Sequence, residues 1–362
     1  MNIRVRTASL FIFLFALFIA RGGHASRPSA GARQRTLRLY SSDHPAMGTV
    51  YSLYLYAPSA TEADADTLLV FQEIDRVDEL LSNYRDSSEL SRINREAGTS
   101  AVTTDPETFQ FLQKSFDWSA KSNGAFDITV GKLMKAWGFF RASGHHPTQE
   151  ELSAVGSQIG WKNVHLDPSQ RTVHFLSPGI ELDPGGIGKG YAIERAVAIL
   201  RSHHVSAALL SAGSSTIYAL GAPPGGTGWK IRVPATGEKG GTLSTVVLRD
   251  TSLSTANCSE KHFIEHRHLY CHIMDPRTLH PVAGVLQVAV IDPSATDSDA
   301  LSNVLFVLGE GGGAPVLKHS PRDSALILYG TPKHPQCESL RWTARIQSGG
   351  RSSRKACSQF RY

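Results

Sequence analysis

Cysteine is scarce in this chain: there are four in 362 residues, Cys258, Cys271, Cys337 and Cys357. No spacing among them suggests a zinc site. Charge of one sign is scarce too. The formal net charge is only +5, and residues 1–25 carry three arginines (Arg4, Arg6 and Arg21) and no carboxylate, so about +2 remains without them. Much of that excess lies in the tail from Arg341 to Arg361. Such a balance argues against a nucleic-acid partner. The one long apolar run, Leu10 to Ala20, falls short of the roughly 20 residues that a membrane span needs. No cysteine follows it, which argues against a lipid-modified N-terminus, and Arg4 and Arg6 are not adjacent as a twin-arginine signal requires. No stretch in the middle reads as a flexible linker.

The basic start, the apolar run and the small residues ending at His24-Ala25-Ser26 have the layout of a secretory signal cleaved near Ala25. The expected organisation is therefore a signal peptide over 1–25, a flexible segment over 26–44, one large globular domain over 45–332 and a polar, basic tail over 333–362. Export would allow the four cysteines to form two disulfides in any of three connectivities. The local choice pairs Cys258 with Cys271 and Cys337 with Cys357.

Within the domain, Tyr51, Leu53 and Leu55 alternate as a strand requires. Val70, Ile74, Val77 and Leu81 repeat at helical spacing over about 61–82. Asp105-Pro106 caps a second helix that runs to Asn123-Gly124, and Thr148 with Glu151 forms a capping box. Val164–Leu166 and Val173–Phe175 read as a hairpin. Short apolar runs at 207–210, 216–220, 229–233 and 243–248 read as sheet strands.

The densest stretch is Leu182 to Tyr191, with four glycines, Asp183 and Lys189 in ten residues, feeding an amphipathic helix with Ile193, Ala196, Val197 and Leu200 on one face. A glycine-rich turn at a helix start lets backbone N–H groups approach an anion. The spacing is neither that of a P-loop nor that of a dinucleotide fingerprint, so alone it reads equally as a tight strand-to-helix turn. A second dense region holds Thr255-Ala256-Asn257 and His272-Ile273-Met274-Asp275-Pro276. Near the end, Asp297 is expected to open a helix on which Asp299 and Asn303, four apart, share a side. Their oxygens would suit a hard cation.

Taken in register, Met47-Gly48-Thr49, Ser82-Asn83-Tyr84-Arg85 with Ser88 to Asn94, Gly124-Ala125-Phe126-Asp127, Asp183 to Tyr191, His272 to Thr278 and Asp299-Ala300-Leu301 resemble the FAD:protein FMN transferases, the ApbE-like flavin transferases, over about residues 45–330. The resemblance implies a mixed α/β fold with sheets flanked by helices. It also implies Mg²⁺ at the pyrophosphate of FAD and transfer of FMN through a phosphoester bond to a threonine hydroxyl of an exported or membrane redox protein. The enzyme would then be periplasmic, with at most a loose association with the membrane surface. Carried over by position, Met47, Tyr84, Ala125, Phe126, Asp127, Asp183, Lys189 and Ile273 would contact FAD. Asp299, the Gly186 carbonyl and the Ser302/Asn303 segment would hold the metal. His272 would be catalytic, as proton acceptor or as an orienter of the diphosphate. Two positions depart from the family pattern: Asn303 stands where threonine is usual, and Ala256-Asn257 stands where Ser-Gly is usual. Hydrolysis of FAD to FMN and AMP, and flavin binding without chemistry, are the competing readings.

Overall fold

The computed structural model describes residues 36–140, 143–235, 241–259, 261–318, 320–344, 346 and, as backbone, 357–360. The segment expected to be a signal peptide lies outside them. Strands β1 (Arg38–Ala46) and β2 (Thr49–Ala57) form a hairpin around Met47-Gly48, both at positive φ. Then come α1 (Ala60–Leu81), α2 (Glu89–Glu96), β3 (Val102–Thr103), α3 (Pro106–Lys121), α4 (Gly131–Ala136), α5 (Gln149–Gly156), β4 (Val164–Asp167) and β5 (Thr172–Phe175). α6 (Gly188–Ser202) leads into β6 (Ala207–Ala212), β7 (Thr216–Gly221), β8 (Trp229–Pro234), β9 (Thr242–Leu248) and β10 (Thr251–Asn257). The remainder is β11 (His262–Glu265), β12 (His268–Cys271), β13 (Met274–Asp275), β14 (His280–Pro281), β15 (Val285–Asp292), α7 (Ala295–Leu308), α8 (Gly313–Leu317), β16 (Ser324–Thr331), β17 (His334–Leu340) and β18 (Cys357–Phe360).

Nine strands make the main sheet in the order β1-β2-β6-β7-β10-β15-β16-β17-β18, antiparallel except for the last pair. Alternation along each strand sends side chains to opposite faces. Leu53, Leu55, Leu210, Val288 and Ile327 face α1, α6 and α7, whereas Leu209, Leu253, Ala289, Leu326 and Leu328 pack with Trp229, Ile231, Val233 and Val246 of the β8–β9 ribbon. A third, smaller core of Leu133, Trp137, Phe139, Leu152 and Met274 joins α4 and α5 to the hairpins near 270. The fold is thus mixed α and β, with helices over one face of the main sheet and a ribbon over the other.

Caps account for most helix starts: Ser59, Ser88, Asp105, Thr148 and Ser294 each accept a backbone N–H of the first turn. The last of these corrects an expectation, because α7 opens at Ala295, two residues before Asp297. Two segment boundaries also differ from expectation. From Arg38 onward the segment expected to be flexible is strand β1. It pairs with β2 along its whole length, and His44 bonds the Asp75 carboxylate at 2.7 Å and stacks on Phe71 at 4.8 Å. Backbone pairing and one imidazole hold this strand, so hydrophobic alternation does not reveal it. Likewise the expected polar tail supplies β17, in which Cys337, Glu338, Ser339 and Leu340 are buried, with Glu338 accepting from the Gly311 N–H. Cys258 is joined to Cys271. Cys337 is disulfide-bonded as well and faces Cys357 in backbone register.

At the start of α7, Asp292 and Asp323 share a hydrogen bond in a buried position, and burial first, then this neighbour, pushes the Asp292 carboxyl up to about 8. Asp323 is shifted in the same direction, chiefly by burial. Both folded-state values lie above those of the unfolded chain, so the folded pair holds protons more tightly. Its stabilising contribution is complete below about pH 4 and is lost as pH rises towards 8. Asp292→Asn is therefore expected to melt at a higher temperature than the wild type at pH 8 and to show a flatter dependence between pH 5 and 8. Thermal melts across that range check this; parallel curves for the two proteins would contradict it.

Candidate functional site

Several elements end around one cleft. The C-terminus of α1 runs into Ser82-Asn83-Tyr84, the loop after α3 supplies Ala125–Ile128, the turn before α6 supplies Asp183–Gly188, the base of the β11–β12 hairpin supplies His272 and Ile273, and α7 supplies Asn303. The cleft holds about 1200 Å³ of non-protein space, a figure that includes its open mouth. All eight residues expected to contact flavin, Met47, Tyr84, Ala125, Phe126, Asp127, Asp183, Lys189 and Ile273, line it. So do His272, Gly186 and Asn303. A smaller polar recess continues from it, walled by Ser215, Thr255 and Asn257 together with Lys189, His272 and Asn303.

The glycine turn is shaped by its own carboxylate. Asp183 Oδ1 accepts the Gly185 N–H at 2.8 Å, and Lys189 folds back so that Nζ donates to the Gly185 carbonyl at 3.3 Å, which places the ammonium over the turn. α6 begins at Ile187 without a side-chain cap. In place of one, Asp299 reaches across from α7, and its Oδ2 accepts the Gly190 N–H at 2.8 Å. This contact needs the two helices to be very close: a Cβ on Gly190 would stand 2.2 Å from the Ala295 carbonyl and 2.6 Å from Asp299 Cβ.

Asp127 is a frame for the loop. Its Oδ1 accepts from the Thr129 N–H and hydroxyl at 2.9 and 2.8 Å, and its Oδ2 accepts the Trp161 N–H at 2.8 Å. Burial raises its pKa, against the pull of these donors. Tyr84 is 58% exposed and stacks on Phe140 with centroids 4.3 Å apart, offering an aromatic face at the mouth. Partial burial first, then the Asp183 charge, pushes its phenol up to about 12, so it stays neutral. His272 points Nδ1 at the Lys261 carbonyl, 2.8 Å away. A carbonyl only accepts, so Nδ1 carries the proton and the neutral ring keeps Nε2 as its basic nitrogen.

Three wall residues escape sequence reasoning. Asp78 is buried and paired with Arg85 at 2.8 Å. It had a signal, since it shares the apolar stripe of α1 with Ile74 and Leu81. Asn83 carries a buried Nδ2 with no hydrogen-bond partner among the described residues, a donor that an acceptor atom of a ligand would satisfy. Lys261 is brought to the cleft by the hairpin and had no sequence signal.

The expected metal ligands are divided. Gly186 and Asn303 meet at the cleft, where Asn303 Nδ2 donates to the carbonyls of Gly186 and Asp299, both at 3.1 Å. Asp299 is only 1% exposed and lies just behind the turn. Ser302 is not brought to the cleft: it is buried, and its hydroxyl donates to the Asp299 carbonyl within α7. The described residues include no group of three or more His, Cys, Asp or Glu that would hold a metal. The donors present are nevertheless all oxygens once the Asn303 amide is turned about its axis, which suits a hard cation such as Mg²⁺.

The profile of the ApbE family matches residues 47–328. A protein of Treponema pallidum named FAD:protein FMN transferase is 32% identical over 83% of this chain and 87% of its own length. One of the same name from Klebsiella pneumoniae is 32% identical over 80% of this chain and 89% of its own. Among solved structures, the ApbE protein of Thermotoga maritima superposes with a TM-score of 0.76 at 26% identity, covering 84% of this chain and 97% of that one.

Proposed function

The chain belongs to the ApbE family and is a transferase, and from that premise we propose that it moves the FMN half of FAD onto a threonine hydroxyl of an exported or membrane redox protein, with Mg²⁺ at the diphosphate. The observation that carries this reading is the convergence of the eight flavin-contact positions, the glycine turn, Lys189 and His272 on one cleft. In the reaction, the acceptor oxygen attacks the FMN phosphorus, the phosphorus–oxygen bond to the AMP half breaks, and AMP leaves. His272 Nε2 is set to take the acceptor's proton because Nδ1 is committed to the Lys261 carbonyl. Lys189, with its ammonium over the turn, opposes the charge that accumulates on the diphosphate. Held by Gly186, Asn303 and Asp299, a magnesium ion would supply Lewis-acid stabilisation of that same charge. Tyr84, backed by Phe140, provides a stacking face for a flat ring.

Export to a periplasm fits the disulfides, which persist in oxidising compartments, and the N-terminal apolar run. No helix among the described residues is long and apolar enough to cross a membrane.

Incubation with FAD, Mg²⁺ and a threonine-bearing acceptor domain tests the reading. The expected result is flavin fluorescence that stays with the acceptor band on a denaturing gel, together with stoichiometric AMP, both abolished by EDTA. AMP without labelling would instead assign hydrolysis, and FAD binding without AMP would assign a carrier.

A further inference from the structure

The disulfide between Cys258 and Cys271 ties together two walls of the polar recess. Cys258 directly follows Asn257 at the end of β10, and Cys271 directly precedes His272; Asn257 and His272 both line the recess. Between the cysteines runs the β11–β12 hairpin, whose residue Lys261 offers one carbonyl to two donors of His272: the backbone N–H at 3.2 Å and the imidazole Nδ1 at 2.8 Å. The first turn of the loop is stitched down as well, with His262 Nδ1 donating to the Cys258 carbonyl at 2.8 Å.

The aromatic residues of the hairpin pack on the small core. Phe263 packs on Tyr270 at 4.8 Å and on Phe139 at 5.5 Å, and it lies so close to Gly144 that a Cβ there would meet its ring at 2.8 Å. These contacts belong to the small core of α4 and α5. At the far end, the cross-strand pair Ile264 and Leu269 is exposed, 62% and 53%, and provides no anchor. The hairpin's aromatic residues thus pack on the small core and its base at Cys258 and Cys271 on the main one, while the recess that His272 must serve is walled in part by β10 of the main sheet. The Cys258–Cys271 bond cross-links them in addition to the chain that runs on from β10 into the hairpin.

We propose that this disulfide is a positioning device for His272, fixing the Lys261 carbonyl, and through it the imidazole, against the end of β10. The inference rests on the transfer role assigned above to His272. With the bond cut, the β11–β12 ladder and the aromatic contacts persist, but the hairpin base can shift relative to Thr255–Asn257. A displacement of about 1 Å in a reacting group costs on the order of 100-fold in rate. The flavin-contact walls at Tyr84, Phe126 and Asp183 come from other elements and keep their places.

The test compares three proteins in the labelling assay at 25 °C: wild type, Cys258→Ser/Cys271→Ser, and His272→Ala. FAD affinity by fluorescence quenching and thermal melts are recorded beside each. The double variant is expected to lose between about tenfold and 100-fold in kcat, with FAD affinity within about twofold of wild type. If it does not fold, wild type folded in the oxidised state and then treated with dithiothreitol carries the measurement, with untreated Cys337→Ser/Cys357→Ser as the control for the Cys337 disulfide, which the reductant opens as well. A lower melting temperature with kcat unchanged would assign the bond a purely structural role and overturn the proposal. Wild-type labelling by His272→Ala would instead remove the catalytic role on which the proposal stands. Slow labelling by His272→Ala with unimpaired disulfide variants would overturn the positioning role alone.

Discussion

Asp299→Ala is expected to lower FMN transfer by about 100-fold to 1,000-fold, the range seen when one preorganised charge-stabilising group is removed from an active site. The side chain has two duties in this fold. It accepts the Gly190 N–H of α6, which has no side-chain cap, and it precedes Asn303 by one helical turn beside the expected cation position. Alanine removes both, leaving a buried backbone donor without its acceptor, at a cost of about 1–3 kcal/mol in stability. Asp299→Asn separates the duties. Its amide oxygen still accepts from Gly190, so melting should stay within a few degrees of wild type. The charge that would attract Mg²⁺ is gone, so transfer should fall nearly as far as in the alanine variant, and raising Mg²⁺ should restore part of it. Labelling rates across a magnesium titration, read beside thermal melts, decide the matter. Transfer by Asp299→Asn at the wild-type rate and magnesium dependence would show that the carboxylate serves only as a cap.

How much of this was legible in the sequence depends on what holds each part. Elements with side-chain punctuation were readable to within a residue or two. Asp105-Pro106 opens α3 and Thr148 with Glu151 opens α5, because an oxygen at a fixed position meets a first-turn N–H. Strands β2, β6 and β7 of the main sheet announced themselves through their apolar residues, as in Tyr51, Leu53 and Leu55. β1 and β17 did not, since pairing and polar contacts sustain them. Within the site, residues inside a glycine-rich or aromatic phrase could be named. Asp78 could have been, as an acid on an apolar helical stripe. The hairpin that carries Lys261 to His272 could not, because the meeting depends on a return of the chain that no local pattern encodes. Ser302 was misplaced for a related reason. Its neighbour Asn303 turns towards the glycine turn, but one residue is about 100° of helix, and Ser302 faces the protein interior.

Gly190→Ala is expected to be strongly damaging, although it adds only one carbon. The added Cβ would lie 2.2 Å from the Ala295 carbonyl, a backbone atom inside the capped first turn of α7, and 2.6 Å from Asp299 Cβ. Neither neighbour can swing aside as the tip of a flexible side chain would, so the helices must part. Overpacking of this kind costs about 1–3 kcal/mol and occasionally more. At roughly 2–4 °C per kcal/mol, the range for domains of about 150–250 residues, melting should fall by roughly 2–12 °C. Activity should fall further than stability explains, because parting α6 from α7 stretches the Gly190–Asp299 contact and carries Lys189 and the glycine turn away from Asn303. Gly188→Ala is the matched control, two residues earlier in the same helix. Its Cβ would meet Met47 Cε and Pro184 Cβ at 3.4 Å, ordinary contact distance, and alanine suits a helix start better than glycine does. That variant should fold within about 1 kcal/mol of wild type. Equal melting temperatures for Gly190→Ala and Gly188→Ala would mean that α6 and α7 do not cross as closely as the geometry requires, and the common seat of the glycine turn and Asp299 would be lost with it.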